Sequence, residues 1–429
     1  MRKPHNARWV IVSLNKPAMM RRSDDEVWLL NPRRRYILNA DATEDLGPYV
    51  ETMSDLEAAS LYRPLRKFAG LDQARLPGAS VLIERYRDRG IGDLLFTTGP
   101  LAYLQHITGG QLRAYLYAYA ERGAILNNCP FLADKSPLVG PLLYDDLPHY
   151  DYHWFVDTVT EYTEEPDQDN VYDALFRSLG VVPESVSSQF KRPVVALHES
   201  EIKLLDDYYY WIFVNSRIKL DLRHTGYYVV APLANSSLRC APYKTWLQAI
   251  ALLAERRPVL VVGAIRERMP ATDLSVGEFS AALDTTPSLA PSGRVLNLLG
   301  KTNLRHLTVL ISRANCAVSL DSAVLYIAQG LRVPCVSLWG SHDPGVRLGY
   351  DRAYMDLAIW ERRACRASPC FAWQGFPVNK CPLGNEQIVC QCQDAIDPKE
   401  IHRRVMGVEE SDHLARARDA VVNTNSTTR

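Results

Sequence analysis

The sequence predicts an α/β protein built around a doubly wound, Rossmann-like domain at residues 223–362. Two observations carry this reading. Between residues 226 and 340 five short, continuously apolar strands alternate with amphipathic helices, the pattern of a parallel sheet covered on both faces. The chain also has 429 residues, 47% of them apolar, enough for two or three cores and too much for one ordinary domain.

Taken in order, residues 1–78 hold short alternating stretches (RWVIVSL, EVWLL, RRRYIL) among basic clusters and turn residues, which reads as a small, partly β accessory region. A second Rossmann-like domain is expected over 79–222. It opens with the strand SVLIERY, the turn Arg87-Asp88-Arg89-Gly90-Ile91-Gly92-Asp93, and an apolar helix that Pro100 should kink or break near its start. RAYLYAYA at 113–120 alternates as a strand does. The acidic stretch 160–170 reads as a solvated loop. Its Asp167-Gln168-Asp169 triplet is also a spacing that can hold a metal–nucleotide.

The regular domain follows, with strands at 226–232, 258–264, 295–300, 316–321 and 334–340 and helices at 243–257, 303–314 and 322–332. Residues 363–406 are expected to form a cysteine-rich finger and closing helix. The polar end, 407–429, is expected to be a disordered tail.

Lys+Arg and Asp+Glu balance at 49 each, so nothing in the total charge draws the chain to nucleic acid or an anionic membrane. No apolar run approaches the roughly 18 residues of a membrane span. The apolar stretch near the N-terminus is too short for a secretory signal. The expectation is a cytoplasmic protein, at most peripheral to a membrane.

In a doubly wound sheet, ligands bind beyond the carboxyl ends of the strands. Here those ends carry Ser236 and its neighbours Asn235 and Ser237, then Gly263 and Arg266, then Gly300-Lys301-Thr302, Asp321-Ser322, and Gly340-Ser341-His342-Asp343. Hydroxyls, helix N-termini, cations and carboxylates on one rim suit a phosphate-bearing nucleotide. The same residue types also cap helices in any α/β sheet. Lys244 falls in the first turn of a helix, where a cation opposes the dipole. A bound diphosphate would reverse that cost, and a solvent-pointing lysine is the simpler account. In the earlier domain, Gly90-Ile91-Gly92-Asp93 joins strand to helix, and Asp93 is either an N-terminal cap or a carboxylate aimed into a cleft.

Five of the nine cysteines fall between Cys365 and Cys392. A Pro- and Gly-rich segment with little core needs a staple. Four thiolates around one structural iron or zinc would supply it, free thiols being the alternative. Their spacing is Cys365-x4-Cys370-x10-Cys381-x8-Cys390-x-Cys392.

Across roughly residues 80–405 the sequence resembles the ADP-heptose heptosyltransferases of glycosyltransferase family 9. The family's opening GxGD-helix motif is similar to RGIGDLLFTTGPLAYL, and its K-x-W to Lys244-Thr245-Trp246. Its long block resembles GKTNL…DSAVLY…VPCVSLWGSHDP. The family's D-S/T-G-x-x-H is departed from here, with Ala323 for the glycine and Tyr326 for the histidine. A tyrosine hydroxyl can still donate to a phosphate oxygen.

The resemblance implies a GT-B fold, two Rossmann-like domains facing a cleft. It implies inverting transfer of heptose from an ADP-sugar, with Asp93 as the base. Donor-binding residues would be Ser236, Lys244, Gly300, Lys301, Thr302, Asp321, Ser322 and Tyr326, and no divalent metal would be required for catalysis. The cysteine segment resembles the PC…CP…C segment of family members, which implies Cys370, Cys381 and Cys392 as metal ligands, with Cys365 as a fourth and Cys390 as substitute. The accessory region and cysteine finger resemble the autotransporter heptosyltransferase branch. That implies a protein serine as acceptor, a finger-bound iron and a large homo-oligomer, with lipopolysaccharide core as the other acceptor. The competing readings are a catalytically silent GT-B scaffold and, disfavoured by the neutral charge, sugar transfer to DNA bases.

Overall fold

The computed structural model describes residues 75–84, 90–118, 120–138, 150–156, 169–215, 222, 226–265, 272–285, 293–370 and 390–411, and the backbone of short strands between 9 and 67. The accessory region is partly β, as expected. β1 (Trp9–Leu14) lies antiparallel between β4 (Arg35–Asn39) and β5 (Val50–Leu56), and β2 (Ala18–Ser23) pairs with β3 (Glu26–Leu30).

Two compact units follow the packing of the chain rather than its order. The first comprises Met1–Arg89, Pro100–Glu164 and Asp173–Ser187; the second comprises Gly90–Gly99, Glu165–Tyr172 and Ser188–Arg429. The expected boundary at residue 223 was linear, whereas the units interleave. Gly99 gives the physical reason for one crossing. A Cβ there would stand 2.4 Å from the Phe190 carbonyl oxygen and 2.8 Å from that of Arg192, so only glycine lets this segment approach so closely. Thr98 Oγ1 then accepts the Val194 N–H at 2.8 Å.

The first unit holds a parallel sheet in the order β6-β9-β7-β8, made of β6 (Arg66–Lys67), β7 (Ser80–Glu84), β8 (Arg113–Tyr117) and β9 (Tyr152–Phe155). Val81, Leu82 and Ile83 are fully buried, as a strand covered on both faces requires. The expected helix after the glycine turn is two helices, Ile91–Phe96 and Thr98–Ile107, parted at Thr97. Pro100 then sits in the first turn of the second helix, where its missing N–H leaves no bond unmade.

The second unit carries six parallel strands: β10 (Tyr228–Ala231), β11 (Val259–Gly263), β12 (Val295–Leu299), β13 (Cys316–Leu320), β14 (Cys335–Trp339) and β15 (Ala358–Trp360). Their order is β12-β11-β10-β13-β14-β15. The sequence reading expected five; the sixth, a half-exposed three-residue edge strand, offers no run long enough to read. The chain order reverses between β10 and β13, and loops leaving the carboxyl ends of these neighbours diverge to open a crevice.

Around this sheet the helices lie where the apolar spacing placed them: Tyr243–Arg256, Leu304–Arg313 and Ala323–Gly330. Trp246, Ile250 and Leu253 bury one face of the first in the same core as Ile401, Val405 and Val408 of the closing helix Pro398–Glu410. Each such aliphatic side chain contributes about 1.5–3 kcal/mol. That last helix includes Gly407–Glu410, the start of the expected tail; residues 412–429 lie outside the described residues. The insertion between β11 and β12 contains one more helix, Val276–Thr285, held to the sheet by Asn297, whose Nδ2 donates to Ser280 and Asp284. Among the described residues no helix is long and apolar enough to cross a membrane.

Candidate functional site

At the β10–β13 switch point three loops of the second unit converge on one buried carboxylate. Asp321, directly after β13, is 5% exposed. Its Oδ1 accepts a hydrogen bond from the Tyr326 hydroxyl, one helical turn later. Its Oδ2 lies 3.2 Å from Nδ1 of His342, in the loop after β14. Its backbone oxygen accepts from Arg239 Nη1 at 2.8 Å, in the loop after β10.

Burial works to raise the Asp321 carboxyl, but the His342 hydrogen bond and the charges of Arg239 and Arg347 hold it well below the usual carboxylate range. Burial pushes the His342 imidazole down, against the pull of Asp321, so the neutral ring donates from Nδ1. Burial and the Asp321 charge push the Tyr326 phenol up, which keeps it a donor. The carboxylate therefore has both oxygens committed inside the protein and serves to lock the rim loops together.

The Asp93 helix lies against this node. A Cβ on Gly92 would stand 2.6 Å from Cδ2 of Tyr326, so the glycine permits a close approach to the helix Ala323–Gly330. The Phe96 and Tyr326 rings meet edge to face at 4.6 Å, and the Arg347 guanidinium stacks 5.2 Å above Phe96. Asp93 is half-buried, and its Oδ2 accepts the Gly90 N–H at 2.9 Å. It is thus a cap for its own helix, whose Gly92 and Phe96 pack on Tyr326.

Ser236 opens the turn Ser237–Arg239, its carbonyl accepting the Arg239 N–H at 3.0 Å and the Cys240 thiol at 3.3 Å. Ser322 precedes the helix Ala323–Gly330 without capping it; its hydroxyl pairs with Ser319 at 2.9 Å. Lys244 is exposed in the first turn of its helix. Asp273 caps that helix, accepting from the Tyr243 and Lys244 N–H groups at 2.6 and 3.2 Å. This carboxylate offsets the charge–dipole cost of Lys244 without any bound diphosphate.

Gly300-Lys301-Thr302 leaves β12, at the sheet edge, three strand spacings or about 14 Å from β13. Lys301 Nζ turns back to the Asn297 carbonyl at 2.8 Å. The structure thus bonds Tyr326 to Asp321, beside Ser322, packs Gly92 and Phe96 of the Asp93 helix on Tyr326, and leaves Gly300, Lys301 and Thr302 at the sheet edge. It adds Arg239, His342 and Arg347. His342 could be read as a rim residue from its place after a strand. Arg239 and Arg347 carry no comparable signal, because what recruits them is packing. Arg266 and most of the Asp167-Gln168-Asp169 triplet lie outside the described residues.

Of the cysteine set, Cys365, Cys390 and Cys392 share one buried cluster with Leu238. Cys390, read as the substitute, hydrogen bonds Cys392 and, ahead of Cys365, lowers its thiol pKa against burial. Cys370 is buried with its N–H on the Ser341 carbonyl at 2.9 Å, and Cys381 lies outside the described residues. No disulfide joins any two of the eight described cysteines. Among the described residues no group of three or more His, Cys, Asp and Glu is arranged to hold a metal ion. Thiolate is the donor type that soft metal ions prefer.

Comparison with known proteins bears on this geometry. Residues 223–372 match the family model described as glycosyltransferase family 9 (heptosyltransferase). A 68-residue stretch is 34% identical to the lipopolysaccharide core heptosyltransferase OpsX of Haemophilus influenzae, covering 16% of this chain and 20% of that one. The chain thus spans a fifth of the length of the curated relative it matches. The structure of E. coli ADP-heptose LPS heptosyltransferase II aligns with TM-score 0.54 and 14% identity over 77% of this chain and all of that one. The iron-containing dodecameric glycosyltransferase TibC from enterotoxigenic E. coli aligns with TM-score 0.52 and 13% identity, over 94% and 92% of the two chains. A TibC complex with ADP-D-beta-D-heptose aligns with TM-score 0.50 and 12% identity, over 94% of this chain and 91% of that one. The fold is the mixed α/β, GT-B type of these enzymes.

Proposed function

We propose, from the match of residues 223–372 to the glycosyltransferase family 9 model, that the chain is an inverting glycosyltransferase moving heptose from an ADP-sugar to an acceptor hydroxyl. The observation that carries the reading is the packing of the Asp93 helix on Tyr326, whose hydroxyl is bonded to Asp321 at the sheet's switch point. This packing supports a site in which Asp93 takes a proton beside a loop node suited to a diphosphate.

In this mechanism the donor's diphosphate lies over the β10–β13 crevice, near Ser236 and Ser322, with Lys244 as an exposed cation beside it. Asp93 takes the acceptor proton as the hydroxyl attacks the anomeric carbon from the face opposite the departing ADP. The leaving group is stabilised by protein cations and amides, so catalysis requires no divalent metal ion. Gly300, Lys301 and Thr302, at the sheet edge, would reach the nucleotide's far end.

The acceptor we favour is a protein serine of the autotransporter type. The TibC alignment extends over 94% of this chain, against 77% for the lipopolysaccharide enzyme, so it includes the accessory region. Lipopolysaccharide core is the second reading, favoured by the stretch shared with OpsX. A cytoplasmic homo-oligomer accompanies the first. The test is ADP release from ADP-heptose with a serine-bearing acceptor, read together with the acceptor's mass. A heptose increment on the protein is the expected result. Absence of both ADP-heptose binding and ADP release would leave a silent scaffold.

The cysteine cluster is proposed to hold one structural iron or zinc through Cys365, Cys390 and Cys392, with Cys370 or Cys381 completing the set. The ion would staple a segment that has little core of its own. Elemental analysis of purified protein is expected to give about one iron or zinc per chain. A folded, metal-free preparation with the same melting temperature would refute the site.

A further inference from the structure

We propose that Arg239 is a donor-binding residue, its guanidinium gripping the diphosphate of the nucleotide-sugar at the β10–β13 crevice. This rests on the transferase reading above and adds a cation to that site that the sequence motifs do not single out.

The argument begins with how firmly Arg239 is held. It is half-buried, at the end of the turn after β10. Both sequence neighbours are locked: Leu238 is 2% exposed within the cysteine cluster, and Cys240 is 1% exposed with its thiol on the Ser236 carbonyl. Nη1 is anchored on the Asp321 carbonyl, itself fixed by the Tyr326 and His342 bonds to its carboxylate. Among the described residues that is the one hydrogen bond the Arg239 guanidinium makes, so the Nε–Nη2 edge of the fork keeps its donors. That edge has the geometry for two parallel bonds to phosphate oxygens. A group pinned in advance loses little entropy when ligand arrives.

The other cations near the sheet are worse placed. Lys301 is tied to the Asn297 carbonyl at the sheet edge, and Arg347 is stacked on Phe96 with Nη1 fully buried. Lys244 is exposed, on a helix whose terminal N–H groups Asp273 already occupies. Arg239 is the cation held at the strand-order reversal, between the loops of β10 and β13.

The test is calorimetric titration of the full-length protein with ADP and with AMP, comparing wild type, Arg239→Gln and Arg239→Lys. We expect Arg239→Gln to weaken ADP by roughly 10- to 100-fold, the loss of a charge-assisted bidentate pair. AMP should weaken much less, so the preference for diphosphate collapses. Arg239→Lys should fall between, keeping charge without the fork. Equal weakening of ADP and AMP would assign Arg239 a purely structural role and overturn the proposal. So would unchanged ADP affinity in Arg239→Gln. If that variant melts early, the same comparison in Arg239→Lys decides. A wild-type protein that binds no ADP overturns the transferase reading itself, a result distinct from either.

Discussion

Asp93→Asn is expected to lower sugar transfer by about 10²–10⁴-fold, the usual contribution of a positioned general base, while ADP affinity changes less than twofold. Asparagine keeps a side-chain oxygen for the Gly90 N–H that Asp93 now caps, so the helix should survive. What disappears is the capacity to take a proton. The readout is ADP release under saturating ADP-heptose and acceptor, beside calorimetry with ADP alone. Turnover equal to wild type would remove Asp93 from the base role and leave it as a cap. Loss of ADP affinity in parallel would indicate that the substitution disturbs the packing of Gly92 and Phe96 on Tyr326 instead.

The second large effect concerns Asp321. Removing its carboxylate in Asp321→Ala strands two buried donors, the Tyr326 hydroxyl and His342 Nδ1. Breaking one side of a buried charged network costs about 3–5 kcal/mol, so the variant should melt well below wild type and lose ADP binding. A wild-type melting temperature would mean that water satisfies both donors and that the node is not a lock.

Acidity offers a gentler probe of the same node. Asp321 and His342 both have folded-state pKa values below their unfolded ones. Each therefore contributes stability that is present above its unfolded pKa and lost as the pH falls. For His342 the loss begins below about pH 6.5, and for Asp321 below about pH 4. The melting temperature should decline from pH 7 to pH 5 and more steeply below pH 4. In His342→Asn, whose Nδ2 replaces Nδ1 without titrating, the decline between pH 7 and 5 should flatten. An unchanged slope would place the acid sensitivity elsewhere.

Much of this was legible in the residues. Continuous apolar runs such as VLVVG and CAVSL can satisfy burial on both faces only inside a parallel sheet, so the doubly wound domain followed from pattern alone. The break near Pro100 followed from a missing N–H. Ser236, Asp321 and Ser322 followed from their place after strands, and Asp93 from its place in the glycine turn. The helix at 276–285 and the strand at 358–360 were not read, the first inside an insertion and the second too short to show a period.

What the linear chain could not contain is which strand ends are neighbours. Strand order is a long-range outcome. It set β12 at the edge, parting Lys301 from Asp321, and set β10 beside β13, bringing Arg239 to the Asp321 carbonyl. Likewise, the residue types at Gly92 and Gly99 are local, but the reason for them lies in backbone and ring atoms from residues far along the sequence. The sequence by itself determined the domain type, the family resemblance and most of the polar candidates, because apolar periodicity and helix-capping chemistry act over a few residues. Only the tertiary structure decided which of those candidates share a rim, that His342 clamps Asp321, and that Cys390 joins Cys365 and Cys392, because side-chain proximity depends on packing between segments that the sequence keeps far apart.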